Sequence, residues 1–323
     1  MYENYLRAYW EKYGFITDDS APVENGHCVI VKAEDGRIYR FRVSSLLGIP
    51  YDESVKSLMG YGLTRILGEQ YGEDTFIASA SDKLPQHIPL DCDTEIYMAE
   101  FWKDNDTVKR ELPGWLLPIQ AGAALTDKRI TEICDNTGDN ISARNGNYSE
   151  ATALYWIWKN TSGQDYVGLF HYRRMFAADA ACMAQFGDYD MITTIPAFSA
   201  KPLREIFTSY MVIDMDWQLM MTAIEQDCGE YYEDAVSYER SHFYFPCNLF
   251  LMKREYFDEM CAFIFRVTFD IEEFYEKCGV VRKERYLGYL VENLMSIYIM
   301  HNRYRLKKGC VDMKYYEGVK KEE

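Results

Sequence analysis

The chain has 323 residues, of which 48% are hydrophobic and 27% charged, a composition typical of a globular protein that can bury a sizeable core. Its formal net charge of −16 argues against a nucleic-acid-binding protein and allows at most peripheral contact with anionic lipid. No apolar run reaches the roughly 18–20 residues that a membrane-spanning helix needs. A binding site for an anion must therefore be a local cluster of basic side chains.

The cysteines and histidines show neither a disulfide framework nor a metal site. The nine cysteines contain no C-x-x-C pair, and the five histidines lack the spacing of metal ligands. The first residues also lack the apolar core of a signal peptide. We therefore expect reduced thiols, no bound metal and a cytoplasmic protein.

The first 90 residues are predicted to form a small α+β accessory module. Residues 2–13 and 51–71 have helical patterns, and residues 29–43 predict a hairpin that turns at Asp35 and Gly36. The polar residues 79–89 predict a linker. No motif in this region indicates a function.

From residue 91 to residue 310, predicted strands and helices alternate. The strands are predicted at 95–101, 166–170, 189–194 and 243–252, and the helices at 149–160, 254–276 and 284–300. In the first helix, apolar residues recur at i, i+3, i+4 and i+7 from Ala151, and Ser149 or Asn147 is the expected N-cap. This order predicts an α/β fold with a mixed, mostly parallel sheet flanked by helices, followed by a polar tail at 311–323.

Two polar segments flank the helix at 149–160. The strand 166–170 runs directly into His171, Tyr172, Arg173 and Arg174, and ligands of parallel sheets bind beyond the carboxyl ends of strands. The loop before the helix supplies further polar side chains, namely Asn140, Ser142, Arg144 and Asn145. Arginine forks bind phosphate oxygens bidentately, so the set predicts a phosphorylated or otherwise anionic ligand. The alternative is that the arginines pair with some of the 51 acidic side chains.

Several segments resemble a bacterial domain family of unknown function. It occurs in proteins of capsular and exopolysaccharide synthesis and is regarded as a glycosyltransferase family. The resemblance covers about 93–305 and is carried by LPIQAGA (117–123), DNTGDNISARN (135–145), YSEATALYWIWKN (148–160), YVGLFHYRRMF (166–176), NLFLMKREYFDEMC (248–261) and RYLGYLVENL (285–294). It implies a GT-A-like, Rossmann-type fold.

The resemblance implies that the two polar segments form the site for the nucleotide-sugar donor. GT-A enzymes often hold a divalent cation on the donor diphosphate with Asp-x-Asp, where this chain has His171 to Arg174. Two fixed guanidinium groups can take the place of the cation, so no cofactor is expected to be required. Two segments differ from the family pattern: where family members have a strand ending in Thr-His-Lys this chain has Ala99 to Lys103, and the family pair Glu-Arg is Glu292-Asn293 here.

Inverting transfer also needs a general base, usually a carboxylate. The candidates are Asp190, Asp214, Asp216 and Glu292, of which Asp216 and Glu292 are preferred. Asp216 precedes Trp217, an aromatic side chain that could stack on an acceptor sugar. Asn248 is polar at the start of an apolar run and is a second candidate for acceptor contacts.

The predicted function is transfer of a sugar from a nucleotide-diphosphate donor, expected to be UDP-linked, to a capsular or exopolysaccharide acceptor. A lipid-linked acceptor would bring the enzyme to the inner face of the membrane, where the basic residues 303–308 and 320–321 could assist docking. The alternative is a non-catalytic module that binds nucleotide sugars or glycans. A phosphotransferase is disfavoured because the chain lacks a P-loop and a G-x-G-x-x-G motif. The oligomeric state is left open.

Overall fold

A computed structural model of the chain describes residues 84–103, 112–199, 201–282 and 285–315, together with the backbone of four short N-terminal strands. The predicted helices at 2–13 and 51–71 and the predicted turn at Asp35 and Gly36 lie outside these residues, as do residues 79–83 of the predicted linker.

The structure is built from fifteen strands and eight α-helices in the described residues. The strands are β1 (Pro22–Val23), β2 (Gly26–Lys32), β3 (Ile38–Ser44), β4 (Thr75–Phe76), β5 (Thr94–Glu100), β6 (Leu116–Gln120), β7 (Ile133–Cys134), β8 (Tyr166–His171), β9 (Arg174–Phe176), β10 (Met191–Thr194), β11 (Ala197–Phe198), β12 (Phe243–Tyr244), β13 (Phe250–Lys253), β14 (Lys308–Val311) and β15 (Met313–Tyr315). The helices are α1 (Asn145–Tyr148), α2 (Ala151–Asn160), α3 (Ala180–Met183), α4 (Leu203–Tyr210), α5 (Asp214–Asp227), α6 (Tyr232–Glu239), α7 (Arg254–Lys277) and α8 (Tyr286–His301). Short 3-10 turns lie at Ala123–Leu125, Ser142–Arg144, Phe186–Asp188, Gly229–Tyr231 and Pro246–Asn248.

The main sheet has the strand order β4-β14-β10-β13-β8-β5-β6-β7. Strands β7, β6, β5 and β8 are parallel to one another, as are β10, β14 and β4, and β13 is antiparallel to both of its neighbours. This mixed, mostly parallel sheet with flanking helices confirms the predicted fold class. Because β5, β6 and β8 run in the same direction, their carboxyl ends meet at one edge.

Both faces of the main sheet are buried, which explains the nearly continuous apolar sequence of its central strands. In β5, Tyr97 and Ala99 point into the larger core, which the helices α2 and α4 to α8 cover. Ile96 and Met98 point into the smaller core on the opposite face. Helix α8 is apolar almost all round because most of its residues are buried within the larger core.

The N-terminal strands pair with strands from the rest of the chain. The predicted hairpin is present as β2 and β3, which are antiparallel. Strand β3 continues through β11 to β12 in a five-stranded sheet, and β4 pairs with β14 of the main sheet. At the other end, residues 311–315 are not a tail, because β14 and β15 pair with β10 and β9.

Two local expectations are corrected by the structure. The apolar run 243–252 is broken by the turn at Pro246–Asn248, where Cys247 and Asn248 have positive φ angles. Ser149 does not cap α2; it also has a positive φ angle and lies between α1 and α2.

No disulfide joins cysteines among the residues that the structure describes. Within those residues, no helix is both long enough and apolar enough to cross a membrane.

Candidate functional site

A cavity of about 270 Å³ lies at the carboxyl ends of β5, β6 and β8. This is the edge at which α/β sheets bind their ligands. The starts of α2 and α8 close its side. It is lined by Ala99, Glu100, Phe101, Ala121, Asn145, Gly146, Ser149, Glu150, His171, Tyr172, Arg173, Arg174 and Arg285.

The predicted segment His171 to Arg174 forms a tight turn at this edge. Strand β8 ends at His171, and β9 returns antiparallel from Arg174, so His171 and Arg174 are paired across the turn. The Cζ atom of Arg173 lies over the buried ring of Tyr172, 5.1 Å from the centroid of that ring. Both arginines are therefore carried on a short, packed turn rather than on a long loop, and both line the cavity.

His171 contributes a neutral ring to the cavity. Burial lowers the pKa of His171 to about 4, and the charges of Arg174, Arg285 and Arg173 act in the same direction against the opposing charge of Glu150. Its Nδ1 accepts a hydrogen bond of 3.4 Å from the backbone N–H of Arg173. In the neutral ring the proton then resides on Nε2, so His171 is a hydrogen-bond donor and not a further cation.

The cavity lining also carries an acid, Glu150, and a third arginine, Arg285. The Nε of Arg285 donates to Oγ of Ser149 at 2.8 Å, and its Nη2 lies 3.5 Å from Oε2 of Glu150. The Nδ2 of Asn248 donates to Oε1 of Glu150 at 3.2 Å. Asn248 itself does not line the cavity, but it holds a carboxylate that does.

Glu292 is close enough to Glu150 to feel its charge. Its Oε1 accepts a 2.8 Å hydrogen bond from the backbone N–H of Cys247. Burial raises the pKa of Glu292 to about 7; Glu150 adds to this rise, whereas the Cys247 hydrogen bond, Arg174 and Arg285 oppose it. Glu292 is therefore electrostatically coupled to the cavity without being one of its lining residues.

The raised pKa of Glu292 predicts a pH-dependent stability. The folded protein binds this proton more tightly than the unfolded chain, whose carboxyl pKa is near 4.5. The free energy of unfolding should therefore fall as pH rises through the interval from 4.5 to about 7. Glu292→Gln removes the titration, so its stability relative to the natural protein should rise by on the order of 2 kcal/mol between about pH 5 and about pH 8. Urea unfolding at the two pH values measures the difference, and an equal difference at both would contradict it.

Strained backbone is concentrated around this site. Among the described residues, Ser149, Cys247 and Asn248 are the non-glycine residues with positive φ, at 52°, 75° and 51°. Such conformations cost on the order of 1–3 kcal/mol each and persist where the surrounding structure holds them. Ser149 lines the cavity, and the other two residues contact Glu292 and Glu150. All three therefore support the same group of charged side chains.

The loop before α1 has a structural role that differs from the predicted donor contacts. The hydroxyl of Ser142 donates to the buried carboxylate of Asp135, which also accepts the N–H groups of Gly122 and Ala123. Asn140 bonds to Gly138 and Ser142 within the loop itself. Neither Ser142 nor Asn140 lines the cavity.

Asn145 is the member of that loop set that reaches the cavity. Its Nδ2 donates to the backbone carbonyl of Ser149 and to Oγ1 of Thr152, which fixes the junction between α1 and α2. Gly122 has a φ of 68°, and a Cβ there would lie 2.7 Å from Cγ of Asn145. These contacts shape the wall of the cavity, and they bring no charged group to it that could bind a ligand.

Three further predicted residues are not brought to the cavity. Arg144 pairs with Glu272 of α7 at 2.7 Å and does not line the cavity. Trp217 is fully buried in the larger core. Asp216 is also fully buried, and its carboxylate accepts hydrogen bonds from Tyr275, Arg282 and the N–H of Ile213. It therefore stabilises the start of α5 and is enclosed by protein.

The other two candidate bases also lie outside the cavity lining. Asp190 accepts a 2.6 Å bond from Lys253 and a backbone N–H from Lys307. Asp214 is half exposed and pairs with Arg204. Among the described residues, no group of three or more His, Cys, Asp or Glu side chains is placed to hold a metal ion.

Glu150 and Arg285 are cavity residues that sequence reasoning did not select. A helical signal was present for Arg285: it precedes Glu292 by seven residues, which places the two side chains on one face of α8. In the sequence, Glu150 is an acid at the start of a helix, the position where a negative charge complements the helix dipole. Its cavity position depends on the turn at Ser149, which no local pattern indicates.

Comparison with known proteins identified a matching family model and a solved structure with a similar fold. The family model described as "Domain of unknown function (DUF4422)" matches residues 97–303, which include every residue that lines the cavity. The chain belongs to this family. A search of curated proteins found no match.

The DUF4422 domain has a solved structural relative. The chain is similar to the bifunctional glycosyltransferase WbbM in its apo form, with a TM-score of 0.60 and 20% sequence identity. The similarity covers 69% of this chain and 45% of WbbM, so this chain spans less than half of that protein. At this identity the similarity shows that this chain shares a fold with part of that glycosyltransferase.

Proposed function

We propose that this protein is a glycosyltransferase that moves a sugar from a nucleotide-diphosphate donor, expected to be UDP-linked, to a capsular or exopolysaccharide acceptor. The observation that carries the proposal is the cavity at the sheet edge, where Arg173, Arg174 and Arg285 meet beside the neutral His171. In a chain with a net charge of −16, three guanidinium groups around one cavity favour an anionic ligand. The family and the shared fold with WbbM support transfer over simple binding.

The arginines would act on the leaving group. As the bond between the sugar and the diphosphate breaks, negative charge accumulates on the diphosphate oxygens. Guanidinium groups that are already held in place stabilise this charge without reorganising during the reaction. The packed turn that carries Arg173 and Arg174 supplies such positioning, and the Nε2–H of His171 adds a neutral donor.

A lipid-linked acceptor would require the protein to approach the inner face of the membrane. The basic residues 303–308 give little support for docking there, because Arg303 pairs with Asp234, Arg305 pairs with Glu259 and Lys308 is buried. Residues 320–321 lie outside the described part of the chain.

A donor panel tests the proposal directly. The full chain is incubated with UDP-, GDP- and TDP-linked sugars, and release of the free nucleotide is measured with and without polysaccharide fragments as acceptors. We expect turnover with a UDP-sugar that increases when an acceptor is present. Binding of a nucleotide sugar without turnover under any of these conditions would instead identify a non-catalytic binding module.

The proposal also predicts that turnover survives a chelator. If the arginines neutralise the leaving diphosphate, EDTA should leave the rate within about twofold of the untreated rate, because no divalent cation takes part in the charge stabilisation. The rate is measured as nucleotide release before and after addition of EDTA, and again after adding Mn²⁺. Loss of activity in EDTA that Mn²⁺ restores would contradict this mechanism.

A further inference from the structure

Glu150 combines access to the cavity with a fixed carboxylate. Its side chain is 14% exposed and lines the cavity. Its two oxygens contact different partners: Oε1 accepts from Asn248 at 3.2 Å, and Oε2 faces Arg285 at 3.5 Å. An ionised carboxylate has about four acceptor sites, so these two contacts leave room for a hydrogen bond to a ligand.

We propose that Glu150 is the general base of the transfer, and this assignment rests on the proposed function. The carboxylate of Glu150 accepts the proton of the acceptor hydroxyl while that oxygen forms the new bond to the anomeric carbon. The bond from the anomeric carbon to the diphosphate oxygen breaks, and its electron pair leaves with the diphosphate, which the arginines stabilise. The acceptor group in this step is an alcohol, such as a hydroxyl group of a sugar.

The structure favours Glu150 over the acids selected from the sequence. Asp216 is fully enclosed and already accepts hydrogen bonds at both oxygens. Glu292 is not among the lining residues, and its Oε1 is bonded to the backbone. Glu100 also lines the cavity, from the end of β5, and therefore belongs in the test.

The surroundings of Glu150 are suited to holding one carboxylate in one place. Asn248 is 3% exposed, has a positive φ angle and directs its amide at Oε1. Its own Oδ1 is buried and has no hydrogen-bond partner within the described residues. The strained backbone and the unpaired Oδ1 both cost stability, and the position they maintain directs Nδ2 of Asn248 at Glu150. Costs of this kind are typical of residues that are held in place for function. The charged and titratable groups facing Glu150 are Arg285 at the N-cap of α8 and, through longer-range coupling, His171 at the end of β8 and Glu292 on α8.

The test compares Glu150→Gln with a matched control, Glu239→Gln. Glu239 is similarly buried, at 16% exposure, and its arginine partner Arg204 lies at 3.4 Å, yet it is outside the cavity. UDP-glucose and UDP-galactose are the donor probes, water and polysaccharide fragments are the acceptors, and UDP alone is the binding probe. We expect Glu150→Gln to lower kcat by about 100-fold or more and to bind UDP within about threefold of the natural protein. Glu239→Gln should retain full kcat.

The possible outcomes separate the assignment from the proposed function. If the natural protein releases no UDP from any donor, the proposed function fails and the assignment of Glu150 fails with it. If the natural protein is active and Glu150→Gln keeps its kcat within about threefold, Glu150 is not the base. A loss of kcat in Glu100→Gln instead would assign the role to Glu100. Glu150→Asp, which keeps a carboxylate, should exceed Glu150→Gln in kcat; equal losses with a lower Tm in both would show a structural role and overturn the proposal.

Discussion

Replacing both Arg173 and Arg174 by alanine is expected to lower donor turnover by on the order of 10³-fold or more, because each removed donor to a developing oxyanion typically costs about 10²–10³ in kcat. Both side chains line the cavity from the turn between β8 and β9, and both are partly exposed, so their removal should leave the core intact. The measurement is nucleotide release at saturating donor, together with UDP affinity. UDP should also bind more weakly, since in the proposed site the same guanidinium groups would contact the product.

The chain provides a matched control in Arg144. It was predicted as a donor ligand on the same chemical grounds, but the structure pairs it with Glu272 outside the cavity. Arg144→Ala should therefore keep kcat and UDP affinity within about twofold, since neither Arg144 nor Glu272 lines the cavity. If Arg144→Ala lost turnover while the double variant at Arg173 and Arg174 kept it, the cavity would not be the donor site.

Local patterns were sufficient for the elements that run through the core. Strands β5 and β8 and the long helices α7 and α8 all lie within two residues of their predicted bounds. Each has the periodicity or the continuous apolar run that burial imposes. The turn after β8 could be placed as well, because a parallel strand that ends in a run of polar residues directs them to the edge where ligands bind.

The rest of the site depends on contacts that are distant in sequence. Arg144 pairs with Glu272, which is 128 positions away in the sequence, and Asp216 pairs with Arg282, which is 66 positions away. With 51 acidic side chains available, neighbouring residues do not indicate which arginine is neutralised and which faces a ligand. The same holds for Glu150, whose place in the cavity follows from the strained turn at Ser149 and from Asn248 on a different element.

The second large effect concerns stability. Asp216→Ala is expected to lower the free energy of unfolding by about 3–5 kcal/mol, because removing one partner of a buried ion pair leaves the other uncompensated. The lost carboxylate is fully buried; Arg282 donates to both of its oxygens, at 2.9 and 2.6 Å, and the hydroxyl of Tyr275 donates at 2.6 Å. Urea unfolding measures the change. Asp214→Ala, in the same first turn of α5 but 55% exposed, is the control and should cost less than about 1 kcal/mol.

The same variant decides between the two roles considered for Asp216. Because the carboxylate is enclosed by Tyr275, Arg282 and the N–H of Ile213, it cannot meet an acceptor hydroxyl unless α5 and the end of α7 separate. The folded fraction of Asp216→Ala, kept well below its lowered Tm, should therefore turn over donor at close to the natural rate. A fully folded variant with unchanged stability and no turnover would reverse this conclusion. Such a result would require the acid to be reachable from the cavity, which would mean that the contacts between α5 and α7 open during catalysis.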